Sequence, residues 1–460
     1  MIKIGIPYVS QYDEYHYRLY SDVVINDEII NLYFEVTEDN KEFLCTERCD
    51  AFLIALLPLA MKNGFDIISD CPVTEELKYK LESFFMPTLS DKSSVLKSVK
   101  INAPTGMPLE NCHKVGTGIS CGVDSFYSVY LQLETEYDSL RLTHLCLFNF
   151  KKQLPSVKKI YERQLEKAKK ISESLNLSLL TLESNLYEVL VVPDDYNFLN
   201  TYYISSVVLS VQKLFGVYFI ASSYDFGSFN CDNAESTDCT HYDLLNINCF
   251  STNNLHFYSQ GGGIDRFYKT KYLSDKELVE RYLHICNEHE YNCCQCPKCK
   301  RTMMTLESLN TLPNFGKVFN LEYFNKNKFD YYYWLFKQHC KGEFFTKIPY
   351  DLLKNTELMK AVVEKDNLWH FFDYANGIYD DNWLSSEATF HFCPSTEYSS
   401  ILLSFYNPQV PFAGDKIEFY TDRYTPPLYI LLLHILSLFL WFKAVSMCLL
   451  ILMILWIQGL

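Results

Sequence analysis

The residues with the clearest chemistry are five cysteines between positions 286 and 299, out of 17 in the whole chain. Four of them follow the spacing Cys-x6-Cys-x2-Cys-x2-Cys, at Cys286, Cys293, Cys296 and Cys299. Overlapping Cys-x2-Cys units bring thiolates within reach of one ion, and the fourth cysteine completes the tetrahedral set of a structural zinc site. A closed set of four thiolates leaves no open coordination position, so the predicted metal is structural. Cys294 is the spare cysteine, because its spacing to Cys296 is too tight to be preferred.

Two questions about this cluster stay open. Four cysteines also ligate iron–sulfur clusters, and the sequence does not distinguish iron from zinc. Lys298, Lys300 and Arg301 follow the last ligands, and a bound metal would hold these basic side chains rigidly. They are expected to face either nucleotide phosphates or solvent.

The second candidate is the turn at residues 116–125, Gly-Thr-Gly-Ile-Ser-Cys-Gly-Val-Asp-Ser, between a predicted strand and a predicted helix. Backbone N–H groups and the helix dipole bind anions at such a turn. A dinucleotide-binding fingerprint would need glycine at position 121, and a Walker A loop would need Gly-Lys-Ser/Thr, so both are excluded. The hydroxyls of Ser120 and Ser125 and the amides of residues 122–124 can donate to phosphate oxygens. The Asp124 carboxylate can hold Mg²⁺ against them.

The same turn matches the Gly-x-Ser-x-Gly motif of serine hydrolases at Gly118, Ser120 and Gly122. A hydrolase would also need a downstream acid and histidine, and an upstream oxyanion loop. No His-Gly-Gly-Gly type segment precedes the turn, and the candidate histidines are His241, His256 and His391. A serine hydrolase therefore stays an alternative, as does a non-catalytic zinc protein that binds ATP without turnover.

Both motifs carry a resemblance to one family. Residues 120–125, Ser-Cys-Gly-Val-Asp-Ser, resemble the Ser-Gly-Gly-x-Asp-Ser loop of the PP-loop ATP pyrophosphatases, with Cys121 in place of the first glycine. Residues 292–302 resemble the Asn-Cys-Gly-x-Cys-x-x-Cys-x-Arg-Thr pattern of the 7-cyano-7-deazaguanine synthase-like branch, with Cys294 in place of glycine. The resemblance covers residues 110–310, and a side chain at Cys121 is expected to crowd an approaching phosphate or to alter the turn.

This resemblance implies an enzyme that transfers AMP from ATP to a small-molecule substrate, releases pyrophosphate, and then transfers nitrogen or sulfur. The implied cofactors are ATP, Mg²⁺ and Zn²⁺, with Asp124 and Ser120 in the catalytic centre. The nucleotide-binding residues would be Ser120, Cys121, Gly122, Val123, Asp124, Ser125 and Asn149. Asn149 is included because it lies at the carboxyl end of a predicted parallel strand, where ligands bind in open α/β sheets. The glycine-rich loop at 261–266 is expected either to close over substrate or to be an inert surface loop.

The segments around these motifs alternate between strand and helix patterns. Strands are predicted at 113–119, 142–150, 177–182 and 216–222, with helices at 123–133, 160–175 and 204–215. Ser274 and Glu277 form a predicted capping box for a helix that leads into the cysteines, and another helix is predicted at 301–309. The fold class is therefore α/β, a parallel sheet with helices on both faces, and the resemblance makes it PP-loop/HUP-like.

Four segments are predicted along the chain. Residues 1–110, with strand patterns and an apolar helix at 51–61, form an N-terminal α+β domain that ends in a linker at 102–108. Residues 111–310 form the ATP-binding domain with the metal site. Residues 311–426 form a mostly helical region, and residues 427–460 form an apolar tail.

Composition constrains partners and location. With 41 Lys+Arg against 56 Asp+Glu, the net charge is −15, which makes a nucleic-acid partner unlikely and favours a small-molecule substrate. The start of the chain has no charged segment followed by an apolar run, so we expect a cytoplasmic protein. The stretch 428–460 has Lys443 as its one charged Lys, Arg, Asp or Glu residue. It predicts possible membrane contact or anchoring, although a buried terminal helix remains an alternative.

Overall fold

The computed structural model describes residues 1–150, 155–189 and 196–375. The chain divides into two compact units, Met1–Lys365 and Asp366–Leu460, and the sheet lies in the first. The strands are β1 Ile2–Ile4, β2 Tyr8–Gln11, β3 His16–Ile25, β4 Glu28–Thr37, β5 Ile67–Ser69, β6 Val73–Thr74, β7 Ile101–Asn102, β8 Thr105–Gly106, β9 Lys114–Gly118, β10 His144–Asn149, β11 Ser178–Ser184, β12 Phe215–Ala221 and β13 His256–Gln260.

The helices cover most of the remaining described chain. They are α1 Asp50–Asn63, α2 Glu75–Lys80, α3 Met86–Lys92, α4 Val123–Leu133, α5 Pro155–Leu175, α6 Leu186–Val189, α7 Tyr196–Ser210, α8 Asp243–Phe250, α9 Arg266–Leu273, α10 Glu277–Tyr282, α11 Pro297–Ser308, α12 Leu321–Lys326, α13 Lys328–Cys340, α14 Lys347–Leu353 and α15 Glu357–Ala375. A π-helical turn at Leu81–Phe85 joins α2 to α3. Short 3₁₀ turns lie at Glu38–Phe43, Asp138–Leu140, Phe226–Ser228, Cys239–Tyr242, Leu312–Phe315 and Phe344–Thr346.

Eleven of the described strands form one sheet in the order β13-β12-β9-β10-β11-β4-β3-β1-β5-β7, with β2 added to β3. The first five are mutually parallel, as are β1, β5 and β7. Strands β4 and β3 connect these two groups. Strand β4 is antiparallel to β11, β3 is antiparallel to β4, and β1 is antiparallel to β3. The predicted α/β class, with a large and mostly parallel central sheet, is confirmed.

The strand order locates a crevice. The chain enters the parallel group at β9, adds β10 and β11 on one side, and then returns to add β12 and β13 on the other. Neighbouring connections leave the sheet toward opposite faces at such a reversal, which opens a ligand site beyond the carboxyl ends of the strands. The loops that follow β9 and β12 therefore meet at this switch point.

Both faces of the sheet are buried at the centre of the parallel group. Along β10, Leu145 and Leu147 belong to one hydrophobic cluster and Cys146 to another, as expected when successive side chains point to opposite faces. Helices α4, α5, α11 and α13 contribute to the first cluster, and α1, α7 and α8 to the second. This two-sided burial explains why residues 145–148, within the predicted run at 142–150, are consecutively apolar.

The sheet contains strands from both sides of the predicted domain boundary at residue 110. Strand β11 pairs antiparallel with β4, with Leu182 opposite Val36, so the N-terminal strands extend the same sheet. The predicted domain boundaries remain predictions. The end of the predicted helical region at 311–426 and the whole predicted apolar tail at 427–460 lie outside the described residues.

Two local predictions are wrong. The helix predicted at 204–215 runs from Tyr196 to Ser210, because Phe215 already belongs to β12. The capping box at Ser274 is absent, since Lys276 is the N-cap of α10 and its side chain makes no capping hydrogen bond. Ser274 instead ends α9, an unpredicted helix, where its hydroxyl donates to the Lys271 carbonyl at 2.8 Å.

In the described part of the chain, none of the helices combines the length and apolar character needed to cross a membrane. The apolar stretch at 428–460 lies outside that part.

Candidate functional site

The loop after β9 holds a set of amides at the start of α4. Ile119 N–H donates to the Cys146 carbonyl on β10 at 2.8 Å, which ties the loop to the neighbouring strand. Gly122 is the N-cap of α4, with extended backbone (φ −79°, ψ 170°). Glycine has no side chain that could cap the helix, so the first-turn N–H groups are available to an anion.

Two hydroxyls lie at the same point. Ser120 Oγ donates to Ser125 Oγ at 3.2 Å, and Ser125 Oγ donates to the Gly122 carbonyl at 3.0 Å. Ser120 is exposed, whereas Ser125 is buried. The structure thus brings the two predicted serine hydroxyls together at the N-terminus of α4.

Cys121 lies where the PP-loop pattern that this turn resembles has glycine, and its side chain points away from the two hydroxyls, into the core. Its φ of +62° lies in the left-handed region that glycine adopts most easily. Its side chain is fully buried in the cluster that contains Val115 and Val123. Burial raises the pKa of the Cys121 thiol to about 12, which makes it an unreactive neutral group near neutral pH. The side chain is therefore away from the face that a phosphate would approach.

Asp124 is the centre of a charge network. Its carboxylate lies 3.1 Å from Arg266 Nη1 and 3.3 Å from Lys269 Nζ, and its side chain is 14% exposed. Lys269 is 1% exposed and also donates to the Ser222 carbonyl at 2.6 Å. Ser222 directly follows β12, and Asp124 lies in the first turn of α4, which follows β9, so Lys269 bridges the two sides of the switch point. Burial lowers the pKa of Lys269, while the Asp124 charge opposes this change.

Local backbone geometry permits this bridge. Gly261, which precedes α9, has φ +85°, and a Cβ added there would lie 3.1 Å from Lys269 Cε. Asp265 is the N-cap of α9 and accepts from the Phe267 amide at 2.6 Å. The glycine-rich loop therefore begins the helix that carries Arg266 and Lys269. Whether that loop closes over substrate remains a prediction.

Helix α11 contributes two further cations, Lys298 and Arg301, on which the Asp124 charge acts. Arg301 lies 3.7 Å from Glu343, and its guanidinium lies 4.5 Å from the centre of the Phe345 ring. Burial, followed by repulsion from Arg266, lowers the pKa of Arg301 to about 10. Partial desolvation of its ammonium, then repulsion from both arginines, lowers the pKa of Lys298, although the residue as a whole is exposed.

The network carries an excess of positive charge. Its cations are Arg266, Lys269, Lys298 and Arg301, and its carboxylates are Asp124, Asp265 and Glu343. Arg301 Nε and Glu343 Oε2 are buried and lack a hydrogen-bond partner within the described structure. A buried unpaired donor is costly unless water or a ligand satisfies it. Together with the N-terminus of α4, this arrangement is suited to an anion.

Sequence patterns alone missed several of these residues. Lys269, Glu343 and Phe345 belong to no motif, and Arg266 was only the charged end of the glycine-rich loop. A basic pair on one helix face after a glycine run is a weak signal that could have suggested Arg266 and Lys269. Asn149 is buried at the carboxyl end of β10, one strand away from β9, and its predicted nucleotide contact remains a prediction.

The four predicted metal ligands do come together. The sulfur atoms of Cys286, Cys293, Cys296 and Cys299 all lie within 4.8 Å of one another. Two separations are 3.8 Å (Cys293 to Cys299) and 4.0 Å (Cys296 to Cys286). A tetrahedral ion with M–S bonds of about 2.3 Å requires sulfur atoms roughly 3.8 Å apart. The cluster could therefore bind a metal ion such as zinc.

Residues 293–299 form the turn that carries three of the four cysteines, which we call the knuckle. Its backbone N–H groups donate hydrogen bonds to two of the sulfurs. Cys293 Sγ accepts from the amides of Gln295 and Cys296 at 3.4 and 3.3 Å, and Cys296 Sγ accepts from Cys299 at 3.5 Å. Burial opposes ionisation of Cys293, but these amides, together with hydrogen bonds from the Cys286 and Cys296 thiols, lower its pKa. Such donors stabilise the thiolates that a metal needs.

Cys294 is not part of the ligand set. Its φ is +62°, so it takes the left-handed backbone conformation that glycine adopts most easily. Its sulfur accepts from the Asn320 amide at 3.3 Å, and its carbonyl accepts from the Tyr331 hydroxyl. Cys294 therefore connects the knuckle to α12 and α13.

The hydrolase alternative has little geometric support. Within the described structure, the Ser120 hydroxyl contacts Ser125 and the Gly122 amide but not a histidine. His241 Nδ1 lies 3.1 Å from the Ser228 carbonyl, and its ring stacks on Tyr224. His256 is an exposed residue at the start of β13, and His391 lies outside the described residues.

Comparisons of this chain with protein-family models, with curated proteins and with solved structures gave no match.

Proposed function

We propose that this chain is an ATP-dependent enzyme of the PP-loop type that adenylates a small-molecule substrate and releases pyrophosphate. Nitrogen or sulfur transfer to the activated substrate would follow, as in the 7-cyano-7-deazaguanine synthase-like branch. The observation that carries the proposal is the position of Asp124, which meets Arg266 and Lys269 at the switch point of the parallel sheet.

The fold supports a nucleotide site at this position. The strand order 3-2-1-4-5, counted from β9, belongs to doubly wound sheets, which bind ligands at the reversal. The Ser120 loop supplies hydroxyls and helix N-terminal amides, and α9 supplies two cations from the other side. A PP-loop or HUP-like fold is consistent with this arrangement.

The site residues suggest how binding and charge are linked. In the structure, Asp124 neutralises Arg266 and Lys269. Triphosphate oxygens would replace the carboxylate as partners of these cations, which would free Asp124 to ligate Mg²⁺. The acceptor oxygen then bonds to the α-phosphorus as the bond to the bridging oxygen breaks, and pyrophosphate leaves. The protein's contribution is in-line positioning and charge neutralisation.

We assign zinc to the cysteine cluster, as a structural ion. The sulfur separations fit a tetrahedral site, and all four positions are filled by protein thiolates, which leaves no position for a substrate. The acidic net charge of −15 favours a small-molecule substrate over a nucleic acid. A cytoplasmic location, with possible membrane anchoring through 428–460, completes the proposal.

Calorimetric titration of Mg-ATP into the full-length protein tests this function. We expect binding to the native chain and binding roughly 10- to 100-fold weaker in Arg266→Ala, because one charge-assisted phosphate contact contributes about 1.5–3 kcal/mol. The matched control is Arg281→Ala, which removes an exposed arginine paired with Glu277 on α10. The control should bind as the native chain does.

Failure of the native chain to bind Mg-ATP would refute the proposal. Equal losses in both variants would show that the effect is not specific to the site. Pyrophosphate release from ATP, measured across candidate carboxylate and amide acceptors, then identifies the acceptor.

A further inference from the structure

The cysteine cluster and the phosphate loop are joined by a backbone hydrogen bond. His284 N–H donates to the Cys121 carbonyl at 2.8 Å, two residues before the first metal ligand. The amides of Ile285 and Cys286 both donate to Asn292 Oδ1, at 2.9 and 3.3 Å. Asn292 directly precedes the second ligand, Cys293, so the segment is held to the loop at one end and to the knuckle at the other.

Helix α11 makes a second connection. Cys296 is its N-cap and Cys299 lies in its first turn, so two of the four ligands determine where this helix begins. Arg301 follows two residues after Cys299, and its guanidinium and that of Arg266 lie 4.5 and 5.8 Å from the centre of the same Phe345 ring. Helix α11 also packs against α9, which carries two cations of the network.

One N–H donor of Arg301 makes no hydrogen bond within the described part of the protein. Its Nε is buried without a hydrogen-bond partner in the described structure, and its contact with Glu343 is long, at 3.7 Å. The centre of the Phe345 ring lies 4.5 Å from the Arg301 guanidinium carbon. A partly buried arginine whose Nε lacks a partner, beside a cationic site, is suited to a phosphate oxygen.

We propose that the metal centre positions Arg301 as a ligand of the triphosphate, so that metal and ATP binding are reciprocally coupled. This inference rests on the proposed function, because the coupled ligand is the nucleotide. Without a metal, the four thiols lose the bond that holds residues 286–299 in one arrangement. The start of α11 and the His284–Cys121 hydrogen bond then lose their support. Linkage requires that bound ATP stabilise metal binding by the same factor.

The test follows zinc transfer from the zinc-loaded, full-length protein to a chromogenic zinc chelator in excess Mg²⁺. We expect saturating ATP to slow zinc release at least fivefold. AMP lacks the β- and γ-phosphates and is expected to have little effect. The reciprocal measurement is ATP affinity in zinc-depleted protein, which should fall at least fivefold where circular dichroism shows a native-like fold.

Arg301→Gln separates positioning from metal binding, since it leaves all four cysteines intact. Zinc release without ATP should match that of the native chain, whereas protection by ATP should fall to less than half. Lys300→Gln is the matched control, because Lys300 is the neighbouring cation and lies toward Tyr331. It should retain full protection.

Unchanged zinc release in the presence of bound ATP would overturn the coupling and leave the proposed function intact. Undiminished protection in Arg301→Gln would overturn the role of Arg301. If zinc-depleted protein unfolds, the release measurement on loaded protein decides the question alone. Absence of any ATP binding to the zinc-loaded chain would refute the proposed function, and the coupling with it.

Discussion

Replacing Asp124 with asparagine distinguishes two roles of this carboxylate by the direction in which ATP affinity changes. In the structure, Asp124 lies 3.1 Å from Arg266 and 3.3 Å from Lys269. At an effective dielectric constant of about 20, each pair has roughly 5 kcal/mol of gross Coulomb attraction. A bound triphosphate would replace most of that attraction.

If Asp124 ligates Mg²⁺, the variant loses one charged ligand of the Mg-ATP complex. We expect a net loss of about 2 kcal/mol, or roughly 30-fold in Kd. Metal-free ATP should bind the variant as well as or better than the native chain, because asparagine no longer competes with phosphate for the two cations. The Asp124→Asn change therefore has opposite effects on the two forms of ATP.

The assay is calorimetric titration of ATP in excess Mg²⁺ and, separately, in excess EDTA. Asp138→Asn is the control, since Asp138 forms an exposed pair with Arg141, and it should change neither affinity. Tighter binding of both forms by Asp124→Asn would refute a role in Mg²⁺ binding and leave Asp124 as a neutralising group only. The same result would favour a protein that binds ATP without turnover.

Three further predictions concern the metal, pH and the serine. Cys296→Ser should release the metal and lower the melting temperature, because three thiolates hold zinc less tightly; unchanged zinc content would refute the site. Burial raises the pKa of Asp243 from 3.8 to about 7, against the hydrogen bonds that it accepts. The folded chain therefore retains a proton that the unfolded chain releases, and stability should fall as pH rises from about 4 to 7, by at most roughly 4 kcal/mol. Melting temperatures at pH 5 and pH 8 check this, and Asp243→Asn should show the smaller decrease. A fluorophosphonate probe should leave Ser120 unlabelled in folded protein, and labelling detected by mass spectrometry would favour the hydrolase alternative.

Most of the elements around the site could be predicted from local patterns. Helix α4 begins and ends where its apolar spacing predicts, and β10 lies within its predicted apolar run. Predictions failed where a neighbouring element controlled the boundary. Ser274 has the correct spacing for a capping box but ends α9 instead, because competition between adjacent helices is decided by packing.

The cysteine set was predictable because its ligands lie within 14 residues of one another in the sequence. Short spacing limits the distances that the sulfurs can adopt, so a Cys-x2-Cys pair already approximates the geometry of a metal site. The sequence did not predict that Cys121 and Cys294 both adopt left-handed backbone with buried side chains. These conformations depend on the surrounding core, which accepts a thiol at two positions where the backbone conformation favours glycine.

The sequence by itself determined the features that depend on short segments: the strand-turn-helix at 114–133, the spacing of the four thiols and the apolar alternation of an α/β sheet. Only the tertiary structure brought Lys269 to Asp124, 145 residues away, and joined β4 to β11. The physical reason is that periodicity and turn chemistry encode local hydrogen bonding and burial. Contacts between distant segments depend on strand order and helix packing, which no single segment specifies.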